Sequence, residues 1–307
     1  MSETHVVVGA GPLGRAVVEQ LRGADRSVRL VNRSEPASVP DGVPFDQADV
    51  REVPEAVAAC SGADVVYDCV GLPYAAWTKE FPAITEGLLR GAEAADARLV
   101  VADNLYAYGP TDGPITERHP DGATDRKGKA RAARTRAYLD DSEVPVTVGR
   151  ASDFFGPGVI DTAPLVDPFG AALRGERVSA LGDLECPHTF CYLPDFAAAL
   201  VTLGAHEDAV GEVWHVPHPE TVTIGEFVRL IFDEAGTEQS VRTAPWFVEA
   251  LLGLVNAEIR ELRAVEYQFT RPLVVDDSKF TDAFDLSATP LEEAIRDTLS
   301  WHRKRSE

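Results

Sequence analysis

The sequence contains no run of about 20 apolar residues, the length a bilayer-spanning helix needs, so it offers no candidate membrane span. Its opening, MSETHVVVGAG, lacks the basic start and small-residue cleavage site of a signal peptide, and the expected location is the cytoplasm. Cysteine is sparse: Cys60, Cys69, Cys186 and Cys191 never form C-x-x-C and stand near no histidines of metal-ligand spacing. Reduced, mostly buried thiols and no metal are therefore expected. No internal repeat and no low-complexity tract interrupts the chain.

Lysine is also scarce, with five (Lys79, Lys127, Lys129, Lys279, Lys304) against 24 arginines. The 29 basic and 50 acidic residues leave a formal charge of −21, which repels nucleic-acid phosphates and anionic membranes, so neither is an expected partner. Abundant acid with little lysine suits a salt-rich cytosol, although a GC-rich genome would also favour arginine. At 307 residues and 45% hydrophobic, the chain is long enough to bury a core without a metal or cross-link.

The first 35 residues carry the strongest signal. Val6 to Val8 read as a strand, Gly9-Ala10-Gly11-Pro12-Leu13-Gly14 as a glycine turn, Arg15 to Arg22 as a helix and Ser27 to Val31 as a second strand. This βαβ context is what gives G-x-G-x-x-G meaning. Glycines let the backbone turn tightly and approach a pyrophosphate, which the positive end of the helix then stabilises. Gly9, Gly11, Pro12, Leu13 and Gly14 are the expected cradle; a glycine turn that merely packs the helix is the alternative. The second strand ends Asn32-Arg33-Ser34 without an acid, which favours NADP(H) over NAD(H). Arg33 would clamp the 2′-phosphate, with Asn32 and Ser34 donating hydrogen bonds, unless Arg33 is simply a solvated loop residue.

Strands expected near Ala63–Val70, Arg98–Ala102 and Val144–Arg150 alternate with helices near Thr85–Ala95 and Arg126–Leu139. That alternation predicts an α/β doubly wound parallel Rossmann sheet with a smaller, mostly helical C-terminal substrate subdomain. The sheet domain is expected over 1–157, with 190–218 returning to it through a strand at Glu212–Val216. The substrate subdomain takes 158–189 and 219–307, where Trp246, Phe247, Leu251, Leu252 and Leu254 show only that the segment is apolar.

The order GAGPLG, VYDCVG, DNLYAYGP, GRASDFFGPG, LGDLECPHTFCYLPDFAAAL and DDSKF resembles the extended short-chain dehydrogenase/reductases, the NAD(P)-dependent epimerase/dehydratase-like family, across essentially the whole chain. The resemblance implies that Asp49 and Val50 meet adenine, that Val70 and Gly71 form the turn under the cofactor, and that Asp153, Phe154, His188 and Tyr192 line the substrate pocket. Packing alone would also account for His188 and Tyr192. Val8 stands where extended members usually carry a glycine.

The family's catalytic signature is missing. Alignment through Tyr108-Gly109 puts Asn104 where a Ser or Thr belongs, and alignment through Gly128 puts Lys127 and Arg131 where Y-x-x-x-K belongs. Lys127 is then a candidate acid whose pKa a neighbouring Arg131 would depress, with Arg131 gripping ribose and Asn104 polarising the substrate oxygen. The competing reading makes Arg126 to Arg136 a solvated charged face. Tyr106 is the other candidate acid; Tyr74 and Trp77 would wall the pocket. The expectation is an NADP(H)-dependent oxidoreductase reducing a carbonyl or conjugated alkene, monomeric or homodimeric, acting on a small molecule. A catalytically silent NADP-binding sensor or scaffold and a nucleotide-sugar epimerase/dehydratase are the alternatives.

Overall fold

The computed structural model describes residues 3–36, 39–141, 143–243 and 265–306. Six strands, β1 (Thr4–Val8), β2 (Ser27–Asn32), β3 (Phe45–Gln47), β4 (Val65–Asp68), β5 (Arg98–Asn104) and β6 (Val146–Ala151), join Val213–His215 in one sheet. Its order is Val213–His215, β6, β5, β4, β1, β2, β3, and every pairing is parallel. Parallel strands need helical crossovers on both faces, which is why they read as apolar runs rather than alternations.

Helix α1 (Pro12–Gly23) and the Leu193–Ala205 helix cover one face, where Val7, Val17, Leu21, Phe196 and Leu200 share a core. Helices α2 (Val53–Cys60), α3 (Trp77–Ala95) and α4 (Arg126–Leu139) cover the other, where Val6, Val8, Leu88 and Tyr138 pack. Successive β1 residues thus enter opposite cores, as the twofold strand repeat requires. Strand order reverses beside β1, so the crevice outside the carboxyl ends of β1, β2 and β4 is the natural ligand site of such a sheet.

Helices Pro168–Arg174, Ile224–Ala235 and Leu291–Ser306 build a separate core around Phe155, Phe169, Phe227 and Leu299. Within the expected C-terminal segment, the Ser278–Ala283 helix departs: Phe280 and Phe284 pack on Trp214 in the sheet-side core. The 219–307 stretch is therefore shared between the two cores. Trp246, Phe247, Leu251, Leu252 and Leu254 lie outside the described residues.

One local expectation changes, and two elements have no counterpart in the sequence reading. Helix α3 begins at Trp77 rather than near Thr85 and runs through Pro82, whose one lost backbone bond is offset by the burial of Trp77 and Phe81. Helix α2 and the three-residue β3 carry too little periodicity to be seen in sequence.

Candidate active site

The glycine turn is built for close approach. Gly9 sits at φ +109°, and a Cβ there would lie 2.5 Å from the Cys69 carbonyl oxygen; one on Gly14 would lie 1.8 Å from the Gly9 carbonyl oxygen. Only glycine lets helix, turn and β4 meet at this distance. Gly11 is exposed at the mouth, and α1 starts at Pro12, which has no N–H, with no side-chain cap, so the Leu13 N–H is left for a ligand. An uncapped helix start at a sheet's crossover crevice fits a dinucleotide pyrophosphate.

Beside the turn, a cavity of about 120 Å³ is lined by Val8, Gly9, Asn32, Arg33, Ser34, Asp49, Val50, Val70 and Gly71. The residues expected to contact adenine and ribose therefore come together. Arg51, Leu72 and Glu80 also line it, and sequence reasoning missed them. Arg51 binds Asp49 and holds its carboxyl below the usual range. Asn32 departs from its expected role: its Nδ2 donates to the Ser34 carbonyl at 2.7 Å and its Oδ1 accepts from Ala10 N at 3.4 Å, so the amide braces the loop.

Gly71 and Leu72 also line a second cavity of about 300 Å³ at the ends of β5 and β6. Asp103, Asn104, Tyr106, Arg131, Ser152, Asp153, Phe154, Tyr74 and Trp77 face it. The Tyr74 and Tyr106 hydroxyls lie 2.7 Å apart. Burial pushes both phenols up, Tyr74 to about 12, and both stay protonated at neutral pH. Asn104 spends its Oδ1 on Tyr106 N at 3.2 Å, capping the single 3-10 turn Leu105–Tyr108 that aims Tyr106.

The basic helix splits rather than forming a solvated face: Lys127, Arg131 and Arg134 are buried, while Arg126, Lys129 and Arg136 are exposed. Lys127 is not among the residues lining the 300 Å³ cavity; its Nζ sits 4.3 Å from the Tyr74 ring centre, behind the phenol. Arg131 lines the cavity but donates to Asp103 Oδ1 at 3.1 Å and stacks on Trp77 at 4.1 Å. Asp103 also accepts from Arg150 Nε at 3.1 Å and Thr135 Oγ1 at 2.8 Å. Burial alone would raise the Asp103 carboxyl, but Arg150 and Arg131 outweigh it and hold it below the usual carboxylate range. Arg134 similarly pairs with Asp68, which also accepts from Tyr138 at 2.6 Å.

Tyr108 is committed elsewhere. Its hydroxyl meets His215 Nε2 at 2.8 Å, and the His215 Nδ1 faces the Asp276 carbonyl at 2.9 Å. Burial lowers His215 to about 3, so the ring is neutral, donates to that carbonyl and accepts from the phenol. Two expected substrate contacts do not reach the cavity. Tyr192 is buried against Phe155 and donates to Asp297. His188 is fully buried between Phe190 and Phe269 and reaches the cavity only through Asp153, 3.1 Å from its Nε2. Among the described residues, no cluster of metal-ligating side chains occurs, and no helix is long and apolar enough to cross a membrane.

Several solved structures share the fold. MoeE5 in complex with UDP-glucose and NAD is 21% identical at a TM-score of 0.78, covering 99% of this chain and 100% of that one. The UDP-glucose 4-epimerase of Thermotoga maritima is 17% identical at 0.77, covering 99% and 100%. The NAD-complexed dTDP-glucose 4,6-dehydratase of Bacillus anthracis is 17% identical at 0.75, covering 99% and 97%. No curated protein matches the chain. The model of the NAD dependent epimerase/dehydratase family matches residues 5–225, which include the glycine turn, both cavities and the basic helix, and the chain belongs to that family.

Proposed function

We propose that this protein is an NAD(P)(H)-dependent oxidoreductase that reduces a carbonyl or conjugated alkene of a small molecule, with the Tyr74–Tyr106 phenol pair supplying the proton. The observation that carries the reading is the shared wall of Gly71 and Leu72, which sets the phenol-lined cavity directly against the nucleotide cavity. A bound nicotinamide would supply the hydride. The chain's own residues do the rest. Gly9, Gly11 and the start of α1 hold the pyrophosphate, Asp49 and Val50 the adenosine end, Arg33 a 2′-phosphate where the coenzyme carries one, and Val70 and Gly71 the floor. Arg33 on the cavity rim favours NADP(H), while NAD(H) remains the coenzyme named for the solved relatives.

Tyr106 donates to the developing oxyanion and recovers its proton through Tyr74, while Lys127 behind the Tyr74 ring favours partial negative charge on that phenol. Asn104 presents its Nδ2 to the substrate oxygen, and Asp153 and Phe154 shape the far wall. Arg131 positions Asp103 and the aromatic wall. The reading places the protein in the cytoplasm, where its four free thiols stay reduced, as a monomer or homodimer with no nucleic-acid or membrane partner.

The test follows NAD(P)H consumption over a panel of aldehydes, ketones and enones. Turnover should fall about a hundredfold in Tyr106→Phe with coenzyme affinity unchanged. No turnover by the parent protein on any member, with coenzyme still bound, overturns the enzymatic reading in favour of a silent coenzyme-binding sensor or scaffold. The commitment of Arg131 to Asp103 favours that second reading. Epimerase or dehydratase chemistry is less supported, because Lys127 and Asn104 stand where a phenol and a hydroxyl would act on the sugar.

A further inference from the structure

Four side chains of alternating charge line or border the outer rim of the nucleotide cavity: Arg33, Glu80, Arg51 and Asp49. Arg51 is held on both sides, its Nε 2.8 Å from Asp49 Oδ1 and its Nη1 3.0 Å from Glu80 Oε2. Arg33 Nη1 reaches the same Glu80 oxygen at 3.7 Å, and its side chain is 59% exposed. One carboxylate oxygen therefore serves both arginines. Glu80 does not come from β2, where the sequence shows no acid, but from the first turn of α3 on the opposite side of the crevice.

We propose that Glu80 is the residue that sets the coenzyme preference, by competing with the ribose 2′-phosphate for Arg33. The two arginines are not equivalent. Arg51 is anchored by a two-pronged contact with Asp49 as well as by Glu80. Among the described residues Arg33 has one side-chain ion pair, long and exposed, which contributes little, so its guanidinium can turn toward a phosphate. A dianionic 2′-phosphate engaging Arg33 must displace Glu80 from it and then bear that carboxylate's charge nearby. A ribose hydroxyl meets neither penalty and accepts the rim as it stands. Glu80 thus does from α3 what an acid at the end of β2 does in other dinucleotide sites: it moderates affinity for the phosphorylated coenzyme while Arg33 supplies it.

This rests on the cavity holding a dinucleotide, and the experiment separates the two claims. NADPH and NADH are titrated separately, by fluorescence or calorimetry at fixed salt, into the parent protein, Glu80→Gln, Arg33→Ala and the double variant. Glu80→Gln should tighten NADPH about tenfold relative to NADH, the scale of one nearby charge partly screened by solvent. Arg33→Ala should weaken NADPH by a similar factor with NADH unchanged, and in the double variant the Glu80 effect should vanish. An NADPH-to-NADH affinity ratio in Glu80→Gln within twofold of the parent's overturns the proposal. Silence of both coenzymes in the parent overturns the dinucleotide reading itself. Glu80 is partly exposed, so the variant should fold, and thermal melts of all four proteins check this.

Discussion

Arg131, Arg150 and Thr135 converge on the Asp103 carboxylate, and this cluster fixes the back of the candidate active site. Asp103→Asn leaves two buried guanidiniums short of their counter-charge, and we expect a loss of about 3–5 kcal/mol in urea unfolding. The sign of the pH dependence follows from the depressed folded pKa. The unfolded carboxyl titrates near 3.9, so the contribution is complete above about that pH and is lost as pH falls through the lower folded value. The parent's stability should therefore drop more steeply than the variant's on acidification below about pH 4; equal slopes would refute the assignment. None of this was legible in sequence. Only the fold shows that Arg150, from a different strand, neutralises Asp103.

Helix α3 is the element that both cavities share, since Trp77 walls one and Glu80 and Ile84 the other. It lies tight against the Asp49–Arg51 loop: a Cβ on Gly87 would fall 1.8 Å from the Val50 carbonyl oxygen. Gly87→Ala must push helix and loop apart, which we expect to cost about 1–3 kcal/mol and to weaken coenzyme binding at the adenine end. An unchanged melting temperature would show that the loop yields freely. The sheet and α1 were readable because their periodicity and glycine spacing are local. The start of α3 was not, because Pro82 signals a break that burial of Trp77 and Phe81 overrides. Glu80 is hidden for the same reason, and the seat of Lys127 behind Tyr74 is not legible because helical spacing gives the face of a residue but not which aromatic ring stands in front of it.

At the scale of the molecule, almost all the acid lies outward. Among the described residues only Asp68, Asp103 and Asp195 are buried acids, so the charge of −21 is carried largely at the surface. Screening that repulsion should raise the melting temperature by about 2–3 °C between 0.1 M and 2 M KCl, the shift that about 1–2 kcal/mol produces in a chain of this size. A flat response would point to genome composition as the source of the arginine bias. Family membership was legible from the order of landmarks along the chain, whereas the substrate is a matter of cavity shape, which no linear spacing encodes. The burial of Lys127 behind an aromatic ring has a practical corollary. Acylating reagents should mark exposed Lys79, Lys129 and Lys304 readily while sparing Lys127, so its late labelling in a mass spectrum becomes a clock for the undocking of α4.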